Sequence, residues 1–281
     1  MKGRQEVRIA VLTREQIVPV GSPIFADDNR NLSDVTVTNF TDVSDLAAMR
    51  AAVAIKKQVH GTNINLYYLG KNIYTLRSIM AVGADETTMI KVDDDLDALT
   101  TAQIVTEALQ NEKFNLILTG QYGAGGDGTG QAIANFIGLM LITAAVSIEL
   151  SSKEGKCIAI RTLGRGRRQK VVFNLPALVM CDRTMDTVEY SSLPEIIQAA
   201  KLQIKEFKPM VKHYSSERIK LQLPTPRPKK IFTPDSNLSS SDRIKQILSG
   251  GISKRATDRL EGPPKEVAKQ LLSLLKREGI L

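Results

Sequence analysis

Apolar and polar positions alternate in two rhythms along the first two hundred residues, and the changes of rhythm mark out the elements. A continuous apolar run over 7–12 predicts a short buried strand. A helix follows over 42–58, with Leu46, Met49, Ala52, Val53 and Ile55 at helical spacing and Asp42 or Ser44 as its N-cap. Runs over 63–69, 88–92 and 115–118 predict further strands. Spacings over 73–82 and 99–110 predict helices, the first closed by Gly83. This alternation predicts an α/β fold: a mostly parallel, doubly wound sheet with helices on both faces and ligands at the C-terminal strand edge. After Gly138 consecutive strands are expected over 144–150, 157–163 and 169–173, with a turn over 151–156, giving a small antiparallel section. A buried strand over 178–182 and a helix over 193–205 complete a domain expected to span 1–206.

From residue 207 the texture changes. Seven of the eleven prolines fall between 207 and 264, among serines and basic residues with little apolar periodicity. Such a composition cannot bury a core of its own, so 207–281 is expected to be an extended arm. It ends in a helix over 264–278 whose apolar face, Val267, Leu271, Leu274 and Leu275, must dock on this domain or on another chain.

The stretch 119–131, Thr-Gly-Gln-Tyr-Gly-Ala-Gly-Gly-Asp-Gly-Thr-Gly-Gln, carries the candidate chemistry. It follows the apolar run Leu116, Ile117, Leu118 and precedes an amphipathic helix pattern from Ala132. A strand that empties through glycines into a helix start is the architecture of a phosphate cradle. Glycines let the backbone approach an anion, and unpaired N–H groups at the helix start point at it. The spacing matches neither the dinucleotide fingerprint nor the Walker loop, because no Lys follows.

Composition narrows the choices. Tryptophan is absent and aromatics make up 5% of the chain, which argues against a stacking platform for single-stranded nucleic acid. The net charge of +8 suits an anionic ligand or acidic partner surface. It is concentrated in Arg161, Arg165, Arg167, Arg168 and Lys170, and in Arg227, Lys229 and Lys230; no nucleic-acid reader motif accompanies it. Cys157 and Cys181 read as small buried residues in a reducing compartment, and His60 and His213 lack metal-ligand spacing. With no signal-like segment before 9–12 and no membrane-length apolar run, a cytoplasmic protein without membrane insertion is expected.

Five segments, in order and at consistent spacing, resemble the β subunit of electron-transfer flavoproteins, including its nitrogen-fixation-associated FixA-like branch. Residues 78–85, Ser-Ile-Met-Ala-Val-Gly-Ala-Asp, resemble the family's Ala-Leu-Ala-Met-Gly-Ala-Asp. The glycine loop stands where the family has its nucleotide loop, Gly-x-Gln-Ala-Ile-Asp-x-Asp…Gln-Thr-Gly-Gln. Residues 175–179, Leu-Pro-Ala-Leu-Val, resemble Leu-Pro-Ala-Val-Val, and 189–196, Glu-Tyr-Ser-Ser-Leu-Pro-Glu-Ile, resemble Arg-Tyr-x-Ser/Thr-Leu-Pro-x-Ile. The tail from Leu260 to Leu281 is similar to the family's C-terminal helix.

The resemblance implies an adenine-nucleotide α-hydrolase-like fold and a carrier subunit rather than an enzyme. It implies pairing with an α-type subunit that holds the redox FAD, with AMP, or a second FAD, in the β pocket. By position, that pocket would comprise Val11, Thr13, Asp42 and Leu69 with Gly123, Gly126, Asp127, Gly128, Thr129 and Gly130. Val11 and Leu69 would flank the adenine; Asp127 would brace the loop or contact ribose. Tyr190, Leu193, Pro194 and Ile196 would form a docking loop for clients such as acyl-CoA dehydrogenases or a quinone oxidoreductase, although Leu193 and Pro194 also read as an ordinary helix start.

Two departures stand out. The glycine loop is about two residues shorter than the family's, by alignment of the motif ends. The family's Asp-Gly-Gly-Leu-Glu is replaced at 165–169 by Arg-Gly-Arg-Arg-Gln, read as a solvated hairpin turn, a changed partner surface or a second phosphate contact. Leu223 to Arg227 and Ile231 to Pro234 resemble an arm of the quinone-linked or bifurcating branch, or form a plain proline-rich linker. A hydrolysing or adenylating enzyme would need a Lys or a carboxylate–metal pair beside the loop, and a free-standing nucleotide sensor would have no use for the arm.

Overall fold

The computed structural model describes residues 7–21, 37–92, 96–151, 156–185, 190–210, 233–248 and 260–277. Residues 1–221 and 222–281 form two units. In the first, β1 (Val7–Pro19) leads through β2 (Val37–Thr41) to α1 (Val43–Gln58) and β3 (Thr62–Leu69). Next come α2 (Ile73–Met80), β4 (Glu86–Ile90), α3 (Ala98–Leu109) and β5 (Leu116–Gly120). A single 3-10 turn, Gly126–Gly128, then opens α4 (Thr129–Ile137). The antiparallel section is β6 (Met140–Ser151), β7 (Lys156–Thr162) and β8 (Arg168–Asn174), followed by β9 (Ala177–Cys181), α5 (Leu193–Lys201) and β10 (Lys205–Phe207).

The strands lie in the order β10-β4-β3-β1-β5-β9-β6-β7-β8, and every neighbouring pair from β10 to β6 is parallel. Only β7, β8 and the β2 ribbon on β1 are antiparallel. Strands covered on both faces need apolar residues at every position, and β9 is buried from end to end. The alternation of side chains produces two cores. Val11, Leu66, Leu118 and Val179 share one with Met49 and Ile79 of α1 and α2. Leu12, Ile117 and Leu178 share the other with Ile104 and Ile133 of α3 and α4. From β1 the chain builds outward to β3 and β4, then returns to place β5 on β1's other side. The C-terminal ends of β1 and β5 therefore border the switch-point crevice where such sheets take ligands.

Three elements differ from expectation. Strand β1 continues seven residues past Leu12 because Glu15 to Pro19 pair with β2 as a polar ribbon, where no apolar run is needed. Strand β6 begins at Met140, not 144; its register on β9 slips between Ile142 and Ala145, with Ala144 at φ 55°, and this bulge hides the alternation. The helix expected to reach 205 stops at Lys201, and β10 adds to β4 across the expected 206/207 boundary. Arg77 of α2 closes that helix end, donating from Nη1 to the Ala199 carbonyl and, at 2.7 Å, to the Leu202 carbonyl.

In the second unit the described residues form α6 (Ser240–Leu248), which sequence periodicity missed, and α7 (Pro264–Arg277). Neither helix has a buried residue; Ile244, Ile247 and Leu248, and Leu271 and Leu272, are exposed. The arm segments 223–227 and 231–232, the basic residues Arg227, Lys229 and Lys230, and the tail beyond Arg277 lie outside the described residues. No described helix is long and apolar enough to cross a membrane.

Candidate functional site

The glycine loop leaves β5 directly opposite the first turn of α1. Asp42 is the N-cap, accepting the Ser44 N–H at 2.7 Å and the Ser44 hydroxyl hydrogen. The Ser44 hydroxyl oxygen in turn accepts the Tyr122 N–H at 3.1 Å. One residue further, Asp45 is 0% exposed and aims its carboxylate into the loop. Its Oδ1 accepts the N–H groups of Gly120 at 2.9 Å and Ala124 at 3.0 Å; its Oδ2 accepts those of Arg14 at 2.9 Å and Ala124 at 3.1 Å. One buried carboxylate thus ties the exit of β5, the loop and β1 together across the switch point.

This strap explains most of the glycines. A Cβ on Gly120 or Gly123 would run into Asp45 itself, and one on Gly125 would lie 2.7 Å from the Gly120 carbonyl oxygen. A Cβ on Gly130 would meet Met180 Sδ of β9 at 3.0 Å. The carboxyl group that the inner loop approaches is therefore the chain's own. Only Gly126 and Gly128 face space: nothing lies within 4 Å of a Gly128 Cβ, and its φ of +90° is left-handed. Gly128 is the N-cap of α4 and supplies no side-chain cap. The next residue, Thr129, is 1% exposed, with its hydroxyl unpartnered. Asp127, at φ 54°, stands exposed between the two open glycines. The Gly126 and Gly130 N–H groups close the loop on Gly123 and Gly125 carbonyls, so they are already engaged.

The structure brings Gly123 and Gly126 to Gly130 together with Thr13 and Asp42 at the crevice. Val11 and Leu69 do not flank a common space. Val11 sits opposite Leu66 and shares its face, whereas Leu69, three residues on, points to the other core. Both are fully buried, so the expected adenine sandwich is not available. The Arg165 to Lys170 cluster, exposed on the β7–β8 hairpin, stands three or more strands from β5 and does not serve the loop.

Sequence reasoning missed three residues. Asp45 had a signal: it falls on the same helical stripe as Ala48, Met49 and Ala52, a carboxylate on a buried face. Tyr122 is pinned by Ser44 and by Gln16, whose Nε2 donates to its carbonyl at 3.2 Å. Arg183, just beyond β9, lays its guanidinium over the Tyr122 ring at 4.4 Å.

A separate apolar ridge lies on α5. Tyr190 is 89% and Leu193 69% exposed; Pro194, Ile196 and Ile197 are exposed too. Glu195 accepts the Ser192 N–H at 2.6 Å, which holds its carboxyl below the usual range and fixes the helix start. Beside Tyr190 opens a cavity of about 520 Å³, bounded by Phe40, Leu46, Arg50, Tyr74 and Ile79.

Residues 36–211 match the family model of the electron transfer flavoprotein domain. The chain is similar to the electron transfer flavoprotein subunit beta of Bacillus subtilis, 27% identical over 243 residues, covering 84% of this chain and 85% of that protein. It is 28% identical over 166 residues to the Bradyrhizobium diazoefficiens subunit of the same name, covering 58% and 66%. With the human subunit the identity is 29% over 141 residues, covering 48% and 54%.

The strap is titratable. Burial pushes the Asp45 carboxyl up to about 7, against the downward pull of the Arg14, Ala124 and Gly120 N–H donors. The native chain therefore keeps a proton that the unfolded chain, with the ordinary carboxyl value of 3.8, has released. Stability from this group is fully present below that value and is lost as pH rises through about 7. Asp45→Asn turns an amide donor toward N–H donors and is expected to cost about 1–3 kcal/mol. Its melting deficit relative to wild type should shrink between pH 5 and pH 8. A deficit constant across that window in paired thermal melts would assign the strap a value outside it.

Proposed function

The chain belongs to the electron transfer flavoprotein family as a β-type subunit, and on that premise we propose that it holds an adenine nucleotide at Gly126–Thr129 while supporting an FAD bound mainly by an α-type partner. The observation that carries this reading is the position of the uncapped α4 N-terminus. It opens onto the β1/β5 switch point with space around Gly126 and Gly128 and an unpartnered Thr129 hydroxyl beside it. With the Gly126, Thr129 and Gly130 N–H groups engaged inside the loop, a phosphate here meets the positive end of the α4 dipole and the Thr129 hydroxyl, which suit AMP or the AMP half of FAD. Asp127 repels phosphate and is better suited to a ribose hydroxyl; Asp42 is occupied as a helix cap, and Thr13 offers a second unpartnered hydroxyl. The flavin supplies the electron-carrying chemistry. This chain's residues bind and orient the nucleotide, and its ridge docks clients such as acyl-CoA dehydrogenases or a quinone oxidoreductase.

Releasing the ligand from chain co-purified with its α-type partner, and weighing it by mass spectrometry, tests the first part. An adenine nucleotide near one per chain beyond the partner's own FAD is expected; none, together with silent calorimetry for AMP, ADP and FAD, overturns it. Gly128→Val should empty the pocket with the fold retained, because a β-branched residue resists left-handed φ where there is otherwise room. Gly123→Ala should instead lower the melting temperature, because its Cβ displaces Asp45.

Docking is tested at Leu193. Its exposure means truncation removes no core contact, so the melting temperature of Leu193→Ala should stay within about 1 °C of wild type. Filling a client's apolar pocket contributes about 1.5–3 kcal/mol, so half-saturation for the client should rise roughly 10- to 100-fold. Unchanged half-saturation would remove Tyr190, Leu193, Pro194 and Ile196 from any docking role.

A further inference from the structure

The β7–β8 hairpin carries charge that no described residue matches. Residues 161–170 hold five cations, Arg161, Arg165, Arg167, Arg168 and Lys170, and no acidic residue. Among the described residues none of the five forms a salt bridge. The turn that presents them is closed by its own backbone. The Leu163 N–H donates to the Arg167 carbonyl at 2.9 Å, and the Arg167 N–H to the Gly164 carbonyl at 3.0 Å. The cations are therefore held together without a countercharge, which raises the positive potential at this end of the sheet.

Register sorts the hairpin into two faces. Cys157 with Phe173, and Ala159 with Val171, pack into the core shared with α1. The alternate pairs, Ile158 with Val172, Ile160 with Lys170 and Thr162 with Arg168, point to the other side. Ile158, Ile160 and Val172 belong to neither core, and Val172 is 58% exposed. Glu149 of β6, opposite Ile158, is exposed on this face too but forms no salt bridge with Lys170 or Arg168. Among the described residues β8 has only β7 as a neighbour, so its outer edge is open. An apolar stripe thus runs into a cationic end on a face that the described helices leave uncovered.

The charge decides what can cover this face. A second copy pairing through β8 would set Arg168 and Lys170 against like charges, the device by which edge strands avoid one another. A nucleic acid would need stacking aromatics, and the hairpin has none on this face. A bilayer would need the apolar residues at the tip, whereas the stripe lies on the flat of the sheet and Leu163 alone is apolar and exposed at the turn. A protein that covers the stripe must also bring carboxylates, because unpaired cations are costly to desolvate.

We propose that the α-type partner seats on this face, covering Ile158, Ile160 and Val172 and pairing its own carboxylates with Arg165, Arg167, Arg168 and Lys170. A permanent partner is the fitting occupant, because a face with an apolar centre suits lasting contact. The hairpin then selects partners: an α-type subunit without an acidic patch here meets unpaired cations or like charge. This rests on the β-subunit reading above and adds the surface and the charge by which the partner is chosen.

The test is the dissociation constant of the full chain with its α-type partner, measured by interferometry across a salt series. Wild-type affinity is expected to fall about tenfold between about 50 mM and about 500 mM NaCl, as exposed ion pairs are screened. The triple variant Arg167→Glu, Arg168→Glu, Lys170→Glu should bind roughly 100-fold more weakly at low salt and improve as salt rises. The corresponding triple change to Gln should lose roughly tenfold and flatten the salt dependence. Val172→Ser should weaken binding while keeping the wild-type salt dependence. All four positions are exposed, so each variant chain should melt with wild type. Salt-independent wild-type affinity, or wild-type affinity in the Glu variant, overturns the proposal. So does an unchanged partner affinity in the Glu variant with loss of binding to phosphatidylserine vesicles or duplex DNA, which would give the face to a lipid or a nucleic acid. Failure of wild type to associate with any α-type subunit overturns the β-subunit reading itself, and this surface with it.

Discussion

One buried carboxylate organises the functional end of this sheet. Parallel strands leave their C-terminal ends with unmatched backbone groups, and at the β1/β5 switch point these must be satisfied without a neighbouring strand to do it. Asp45 does so from α1, gathering N–H groups from Arg14, Gly120 and Ala124. The glycines follow from that choice. Side chains at 120 and 123 would occupy the carboxylate's own space, so the loop can close over Asp45 only if both are absent. A sequence that looks built for an external anion is in its inner half built around an internal carboxyl group.

Much of the fold was legible because burial on both faces forces long apolar runs, and β1, β5 and β9 show them plainly. What escaped reading lacked that signature. The β1–β2 ribbon is polar, β10 has three residues, and the bulge in β6 breaks the alternation that would reveal its start. The site was legible as a place but not as a set of side chains. Glycine spacing locates the loop, yet it does not say whether a missing Cβ makes room for a ligand or for Asp45. Position along two strands also hides parity. Val11 lies inside β1 whereas Leu69 ends β3, and the register that pairs Val11 with Leu66 and Arg14 with Leu69 places the two side chains on opposite faces.

The exposed face of α5 and the glycine loop are anchored by separate sets of contacts. Helix α5 is attached to the body through the buried Ala199 and through Arg77, which holds its C-terminal carbonyls from α2. Its start is fixed locally by Glu195. Leu193, Ile196 and Ile197 therefore stay exposed in a fixed arrangement without drawing on the core. A change there leaves the hydrogen bonds of the glycine loop in place.

Electrostatics at the cradle impose the last constraint. Asp42, Asp45, Asp127 and Asp182 all lie around the loop, and a phosphate entering their midst would be repelled were each fully charged and unengaged. Three are committed elsewhere: Asp42 to the α1 cap, Asp182 to Thr184, and Asp45 to the strap, where burial favours its neutral form up to about pH 7. Asp127 alone is solvent-exposed, and water screens it. Among the described residues, the groups at the loop that favour an anion are the positive end of the α4 dipole and the Thr129 hydroxyl. A helix end and a hydroxyl suffice for a weakly held monophosphate.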